Sequence, residues 1–206
     1  MFTGIVTGVF PIASLTRKPG LASFAVELDA RHLEGLAIGA SVSLNGVCMT
    51  VTKLEGTRAH FDAAAETLKR TTLGQLEVGS RINVERSAKT GVEIGGHPTS
   101  GHVDGMLEIV ALERPENNCV LTFQIPPDYT RYVFNKGFIS LNGCSLTVCD
   151  LDKATGRFRV YLIPETLRLT TFGEAKVGDR VNFEIDRQTQ VIVDTIFAAM
   201  AAVKGA

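Results

Sequence analysis

The chain has 206 residues, 45% of them hydrophobic and 21% charged, and a formal net charge of −1. That balance suits a globular protein and provides no basic footprint for nucleic acid or an anionic membrane surface. No apolar run reaches the roughly 20 residues of a bilayer-spanning helix, and Met1-Phe2-Thr3-Gly4-Ile5-Val6 lacks the basic start of a secretory signal, so the expected location is cytoplasmic.

In chain order, Ala22 to Leu28 alternates through Phe24, Val26 and Leu28 and predicts a strand. Short helices are expected over Asp29–Gly35 and Glu66–Leu73. Further strands are expected over Ser41–Thr52, Arg58–Ala63 and Arg81–Glu85. Gly105–Leu112, Asn118–Ile125, Phe138–Cys149, Arg157–Leu162 and Arg180–Ile185 predict a second set, with helices at Pro127–Phe134 and Glu165–Phe172. Regularly spaced strands broken by turn residues indicate an all-β barrel or sandwich. About six strands in each half favours a small closed Greek-key barrel, because closure removes exposed edges. Asn45-Gly46 lies inside an otherwise strand-like run, so a bulge or barrel corner is weighed equally with a tight hairpin. Beyond Thr189, Ile192, Ile196, Met200 and Val203 recur at helical spacing among alanines, and a helix that apolar needs a surface to bury against.

The chain repeats itself. Ser43-Leu44-Asn45-Gly46 returns as Ser140-Leu141-Asn142-Gly143, Glu66-Thr67-Leu68 as Glu165-Thr166-Leu167, and Asn83 with Glu85 as Asn182 with Glu184. The offset grows from 97 to 99 residues, which places a two-residue insertion near Ala154-Thr155-Gly156. A repeat this long is a duplicated domain rather than a solenoid unit. Two similar folds offer two similar pockets, which suits an enzyme that holds two like molecules. The copies differ in reactivity at matched positions: Cys48 faces Ser145, Ile5 faces His102, and Ser87 faces Asp186. Ser145, His102 and Asp186 form a possible Ser/His/Asp set, but in neither the order nor the context of a hydrolase elbow. Each residue also has a plainer reading: Cys48 as a small core hydrophobe, His102 as an exposed turn residue, Asp186 as a helix cap. The four cysteines and the scattered histidines lack zinc-site spacing.

Taken together, Met1-Phe2-Thr3-Gly4-Ile5-Val6, Asn45-Gly46-Val47-Cys48-Met49-Thr50-Val51, Gly95-Gly96-His97, Ser100-Gly101-His102-Val103-Asp104-Gly105, Ile163-Pro164-Glu165-Thr166-Leu167 and Glu184-Ile185-Asp186 resemble riboflavin synthase over the full length. Pro98-Thr99 and Thr7 vary from commoner family forms. The resemblance implies two tandem homologous six-stranded Greek-key barrels, over residues 1–97 and 98–187, and a C-terminal oligomerisation helix over 188–206. It implies a transferase that dismutates two molecules of 6,7-dimethyl-8-ribityllumazine by four-carbon transfer. The products are riboflavin and 5-amino-6-ribitylaminouracil, made without metal, redox cofactor or nucleotide. It also implies a homotrimer whose active site lies between barrels of different subunits, and leaves open an association with lumazine synthase.

By the same resemblance Phe2, Ser41, Cys48 and Thr50 serve the N-barrel pocket, while His102, Ser145, Thr147 and Asp186 serve the C-barrel side as proton-transfer and orienting groups. Lys136 is implied near the ribityl chain. Substrate contacts are implied at Gly4-Ile5-Val6 and Gly101-His102-Val103, at Cys48-Met49-Thr50 and Ser145-Leu146-Thr147. The segments Asp62-Ala63-Ala64-Ala65-Glu66-Thr67 and Leu162-Ile163-Pro164-Glu165-Thr166-Leu167 are implied to hold ring edges and ribityl hydroxyls. The alternative is a non-catalytic lumazine or flavin carrier of the same fold. A nucleic-acid-binding pair of barrels is disfavoured by three Tyr and no Trp for base stacking.

Overall fold

The computed structural model of the chain describes residues 1–204. In the first half β1 (Gly8–Lys18), β2 (Leu21–Glu27), β3 (Ser41–Leu44), β4 (Val47–Glu55), β5 (Arg58–Ala64) and β6 (Arg81–Arg86) close into a barrel, in the order β1-β2-β5-β4-β3-β6. The pleat sets the pattern: along β5, Ala59, Phe61 and Ala63 are buried while Arg58, Asp62 and Ala64 are exposed. β1 was not among the expected strands. It carries Pro11, which cannot donate to a ladder. Pro11 sits where β1 leaves β6, opposite Arg81, and pairing with β2 begins one residue later at Ile12.

In the second half β7 (Gly105–Glu113), β8 (Cys119–Gln124), β9 (Phe138–Leu141), β10 (Cys144–Thr147), β11 (Cys149–Asp152), β12 (Arg157–Leu162) and β13 (Arg180–Ile185) form a sheet ordered β10-β9-β13-β7-β8-β12-β11. β10 and β11 together match β4, but the strand breaks at Val148, and Asp150 takes a φ of +50°. The sheet therefore curls into a half-barrel whose two end strands are joined by the chain itself.

Asn45-Gly46 and Asn142-Gly143 are tight hairpins rather than corners. Leu44 pairs with Val47 and Leu141 with Cys144, and all four turn residues have positive φ, as a type I′ turn requires. A Cβ on Gly46 would lie 2.7 Å from the Gly143 nitrogen, so the two hairpins meet backbone to backbone. The two-residue insertion lies where expected: Gly56-Thr57 link β4 to β5, whereas Lys153 to Gly156 link β11 to β12.

Each half buries its own core, around Phe61, Leu44 and Ile82 in one and Phe123, Phe158 and Phe183 in the other. A quasi-symmetric amide network ties them. Asn83 Nδ2 donates to Asn142 O (2.9 Å) and Asn182 Nδ2 to Asn45 O (2.7 Å). Their side-chain oxygens accept from Thr171 N and Thr72 N, each at 2.8 Å. Because these buried groups are satisfied only by the opposite half, separating the halves would strand them at a cost of about 1–3 kcal/mol each.

The short helices are α1 (Ala30–Leu33), α2 (Ala65–Arg70) and α3 (Pro164–Leu169), with a 3-10 turn at Pro127–Tyr132 where a helix was expected. The chain ends in α4 (Arg187–Lys204). Tyr132 donates its hydroxyl to Asp194 (2.6 Å), and Val193 packs on the second core. Val191, Ile192, Ile196, Phe197, Met200 and Val203 remain more than half exposed.

Candidate active site

Two extended straps cross between the halves and build the site. Phe2 and Thr99 pair in an isolated antiparallel bridge, with Phe2 N donating to Thr99 O (2.9 Å) and Thr99 N to Phe2 O (3.0 Å). Beyond the bridge each strap runs to the other half. Val6 packs into the second core, and Val103 packs on the first. Ser145 N donates to Gly4 O (2.8 Å), and Cys48 N donates to Gly101 O (2.9 Å). Glycine is required at both crossings: φ is +74° at Gly4 and +78° at Gly101, and a Cβ would lie 2.6 Å from that of Ser145 or Cys48.

The Ser145 side forms a cleft of about 210 Å³. Its floor is Gly4-Ile5-Val6 with Cys144, Ser145 and Leu146, and its wall is the start of α3 with Ile163, Glu165 and Thr166. Backbone and small groups at the floor of a mostly apolar cleft are what a flat heteroaromatic ligand requires. Ser145 Oγ lies 2.6 Å from His97 Nδ1. The His97 ring is buried and stacks on Phe138 with centroids 5.1 Å apart and planes at 12°. Burial holds its pKa below the ordinary 6.5, with Asp186 pulling the other way, so the imidazole is neutral near pH 7. Its Nε2 is buried with no partner among the described residues. A neutral imidazole on a serine hydroxyl can orient that hydroxyl or share its proton with a bound molecule.

The matched surface on the first barrel presents Cys48, half-buried and free of disulfide, against Gly101-His102-Val103. His102 is exposed there, its N–H donating to Ser100 Oγ (3.1 Å) and its carbonyl accepting from Arg187. The structure thus corrects the expected grouping. His102 accompanies Cys48 rather than Ser145, because the strap that carries it crosses over. Ser145 has His97 as its partner, and Asp186 caps α4, accepting from Thr189 N (3.1 Å) and Thr189 Oγ1 (2.5 Å). The three residues do not form a hydrogen-bonded set.

Ser41 opposes Thr50 at the rim of the first barrel, and Thr147 opposes Phe138 at the rim of the second sheet. Phe2 is buried at the strap bridge, a place from which it fixes geometry. Met49, Ala63 and Leu162 are buried in the cores, and Leu167 packs on the second. Asp62 faces out of the barrel wall beside Ser23, Thr52 and His60. Ala64, Ala65, Glu66 and Pro164 are exposed at the helix starts with Thr67 half-buried, and Glu165 bonds Arg168 (2.6 and 2.8 Å). Lys136 is exposed with φ +66°. The sequence did not single out His97, although Gly95-Gly96 before it was a signal: a Cβ on Gly96 would lie 2.6 Å from Ser145 Cβ, so only glycine permits the approach. Among the described residues no group of three or more His, Cys, Asp or Glu is placed to hold a metal.

The family model of the Lumazine binding domain matches residues 3–87 and again residues 100–186. This places the chain in the class of proteins with two lumazine-binding repeats. The riboflavin synthase of Escherichia coli (strain K12) is 47% identical over 203 residues, covering 98% of this chain and 94% of that protein. That of Mycobacterium bovis (strain ATCC BAA-935 / AF2122/97) is 43% identical over 194 residues, covering 90% and 93%. The chain belongs to the riboflavin synthase family. Its fold is also that of the solved structure of LumP complexed with riboflavin, with a TM-score of 0.84 and 23% identity over 91% of this chain and 100% of that one.

Proposed function

We propose that the two clefts each bind one 6,7-dimethyl-8-ribityllumazine and that the chain transfers a four-carbon unit from one to the other, giving riboflavin and 5-amino-6-ribitylaminouracil. Family membership makes it an enzyme, a transferase of riboflavin synthesis. The observation that carries the finer reading is the pair of crossed straps, alike in backbone and unlike in the chemistry they border: Cys48 beside the strap that carries His102, and Ser145 with His97 beside the other. The two products together contain every atom of the two substrates, so the reaction balances without an external oxidant or reductant.

One lumazine must lose a proton from its C7 methyl, whose anion the ring delocalises; the other must accept a carbon nucleophile. Two equal pockets could not assign those roles, whereas a serine–histidine cleft and a cysteine cleft can. Holding both reactants in register removes much of the entropic barrier, a contribution of up to about 7–11 kcal/mol. General acid–base groups add about 10²–10⁴-fold. The exposed apolar face of α4 supports a homotrimer in which the first barrel of one copy meets the second barrel of another.

The test is to mix purified protein with 6,7-dimethyl-8-ribityllumazine alone and separate the products by chromatography. Riboflavin and the aminouracil in equal amounts are expected. Tight binding with the lumazine returned unchanged would establish a carrier instead.

A further inference from the structure

We infer that Glu85 and Glu184 are positioning residues that work crosswise: each belongs to one half and holds in place the strap that completes the cleft of the other. Glu85 is on β6 of the first barrel and buried. Its Oε1 accepts from Thr3 N (2.6 Å) and Thr3 Oγ1 (2.8 Å), and its Oε2 from Gly4 N (3.1 Å). Gly4 then receives Ser145 N on its carbonyl, so the Glu85 carboxylate is two hydrogen bonds from Ser145. Glu184, buried on β13, repeats the arrangement. It accepts from Ser100 N (2.7 Å), Ser100 Oγ (2.7 Å) and Gly101 N (2.9 Å), and Gly101 receives Cys48 N.

A carboxylate suits this place for a reason of valence. Both oxygens accept and neither donates, so one side chain can satisfy two successive backbone N–H groups and a hydroxyl. Glutamine keeps the shape but turns an NH₂ toward one of those donors, which removes a bond and sets donor against donor. A purely structural role would tie each glutamate to the stability of its own barrel. The geometry gives the opposite map, because the strap gripped by β6 places Val6 in the core of the second half before returning to the first barrel at β1.

The two straps carry different second anchors. The Glu184 strap has a second anchor: Arg187 donates to the His102 carbonyl and bonds Asp104 Oδ1 (3.0 Å) while lying 4.0 Å from Glu184. The Glu85 strap is held instead at Thr7, whose Oγ1 donates to Val84 O (3.0 Å) and lies 2.9 Å from His32 Nε2, and by Ala88 N, which donates to Met1 O (3.0 Å).

The experiment compares Glu85→Gln and Glu184→Gln in the full chain by amide hydrogen exchange read residue by residue. Losing about one hydrogen bond's worth of protection speeds exchange about tenfold. E85Q should speed Ser145 by about that factor and leave Cys48 within about twofold; E184Q should do the reverse. Faster exchange in each variant's own half, or equal acceleration at both amides, would overturn the inference. This arm needs no ligand, so it stands apart from the proposed reaction.

A second arm rests on that reading and titrates 6,7-dimethyl-8-ribityllumazine into chains with one cleft filled, by Thr67→Trp in the first half or Thr166→Trp in the second. With T67W present, E85Q should weaken the remaining site about tenfold and E184Q leave it within about twofold. The opposite order would overturn the crosswise assignment. If neither single-cleft chain binds the lumazine while the exchange pattern is crossed, the ligand reading fails and the positioning role survives.

Discussion

Lys136 and Gly39 occupy matched turns, and each N–H donates to the carbonyl of the matched valine, Val148 or Val51, at 2.8 Å. Both backbones are left-handed, φ +66° at Lys136 and +87° at Gly39. Glycine reaches that region freely, whereas a residue with a Cβ is strained by about 1–2 kcal/mol. A lysine kept there bears strain that a ligand contact would explain. Lys136→Gly should therefore raise the unfolding free energy by up to about 1 kcal/mol in urea titrations while weakening lumazine binding. A stabler protein with unchanged binding would remove Lys136 from the site. His97 sets a second residue-level test. Burial lowers its folded pKa below the unfolded 6.5, so as the pH falls the unfolded chain takes up the proton first. The contribution is present above pH 6.5 and is lost as the pH falls from there toward the folded pKa. Unfolding measured between about pH 5 and 8 should fall less steeply on the acid side for His97→Gln than for the parent. Parallel curves would mean that His97 is not held neutral by its burial.

At the scale of elements, α4 is the part with unfinished contacts. Ile196 and Phe197 are half exposed on a helix anchored through Arg187, Val193 and the Tyr132–Asp194 bond. Covering the exposed half of one such side chain contributes about 1 kcal/mol, so Ile196→Lys, which also sets a charge there, should shift sedimentation toward the monomer, leave the β-sheet circular dichroism unchanged and lower turnover at least about tenfold. Full turnover from a monomeric I196K would place the complete site within one chain. Such elements were largely legible beforehand. The repeat located both sheets, the changed offset located the four-residue turn before β12, and helical spacing located α4. The straps were not legible. Periodicity reports which face of a strand is buried, not which half buries it, and Val6 looks the same whether it packs on its own barrel or the next. For the same reason the sequence groups His102 with Ser145 where the strap lies beside Cys48, and it gives no sign that His97 meets Ser145 48 positions away.

The whole molecule raises the question of where two bound lumazines can meet. Within one chain the halves touch through the Asn-Gly hairpins, the amide network and the crossed straps, and those contacts are backbone-tight. The reacting pair is thus proposed to lie between copies, the first cleft of one facing the second cleft of another. This makes a prediction that no single variant can test. T67W closes only the first cleft and T166W only the second, so neither protein alone should turn over lumazine. Mixed one to one, unfolded together and refolded, they form assemblies in which some open first clefts face open second clefts. With random assembly that juxtaposition occurs in about one quarter of pairings, so about one quarter of parental activity should return. Were the pair of sites within a chain, no chain in the mixture would carry two open clefts, and the mixture would stay as inactive as its parts.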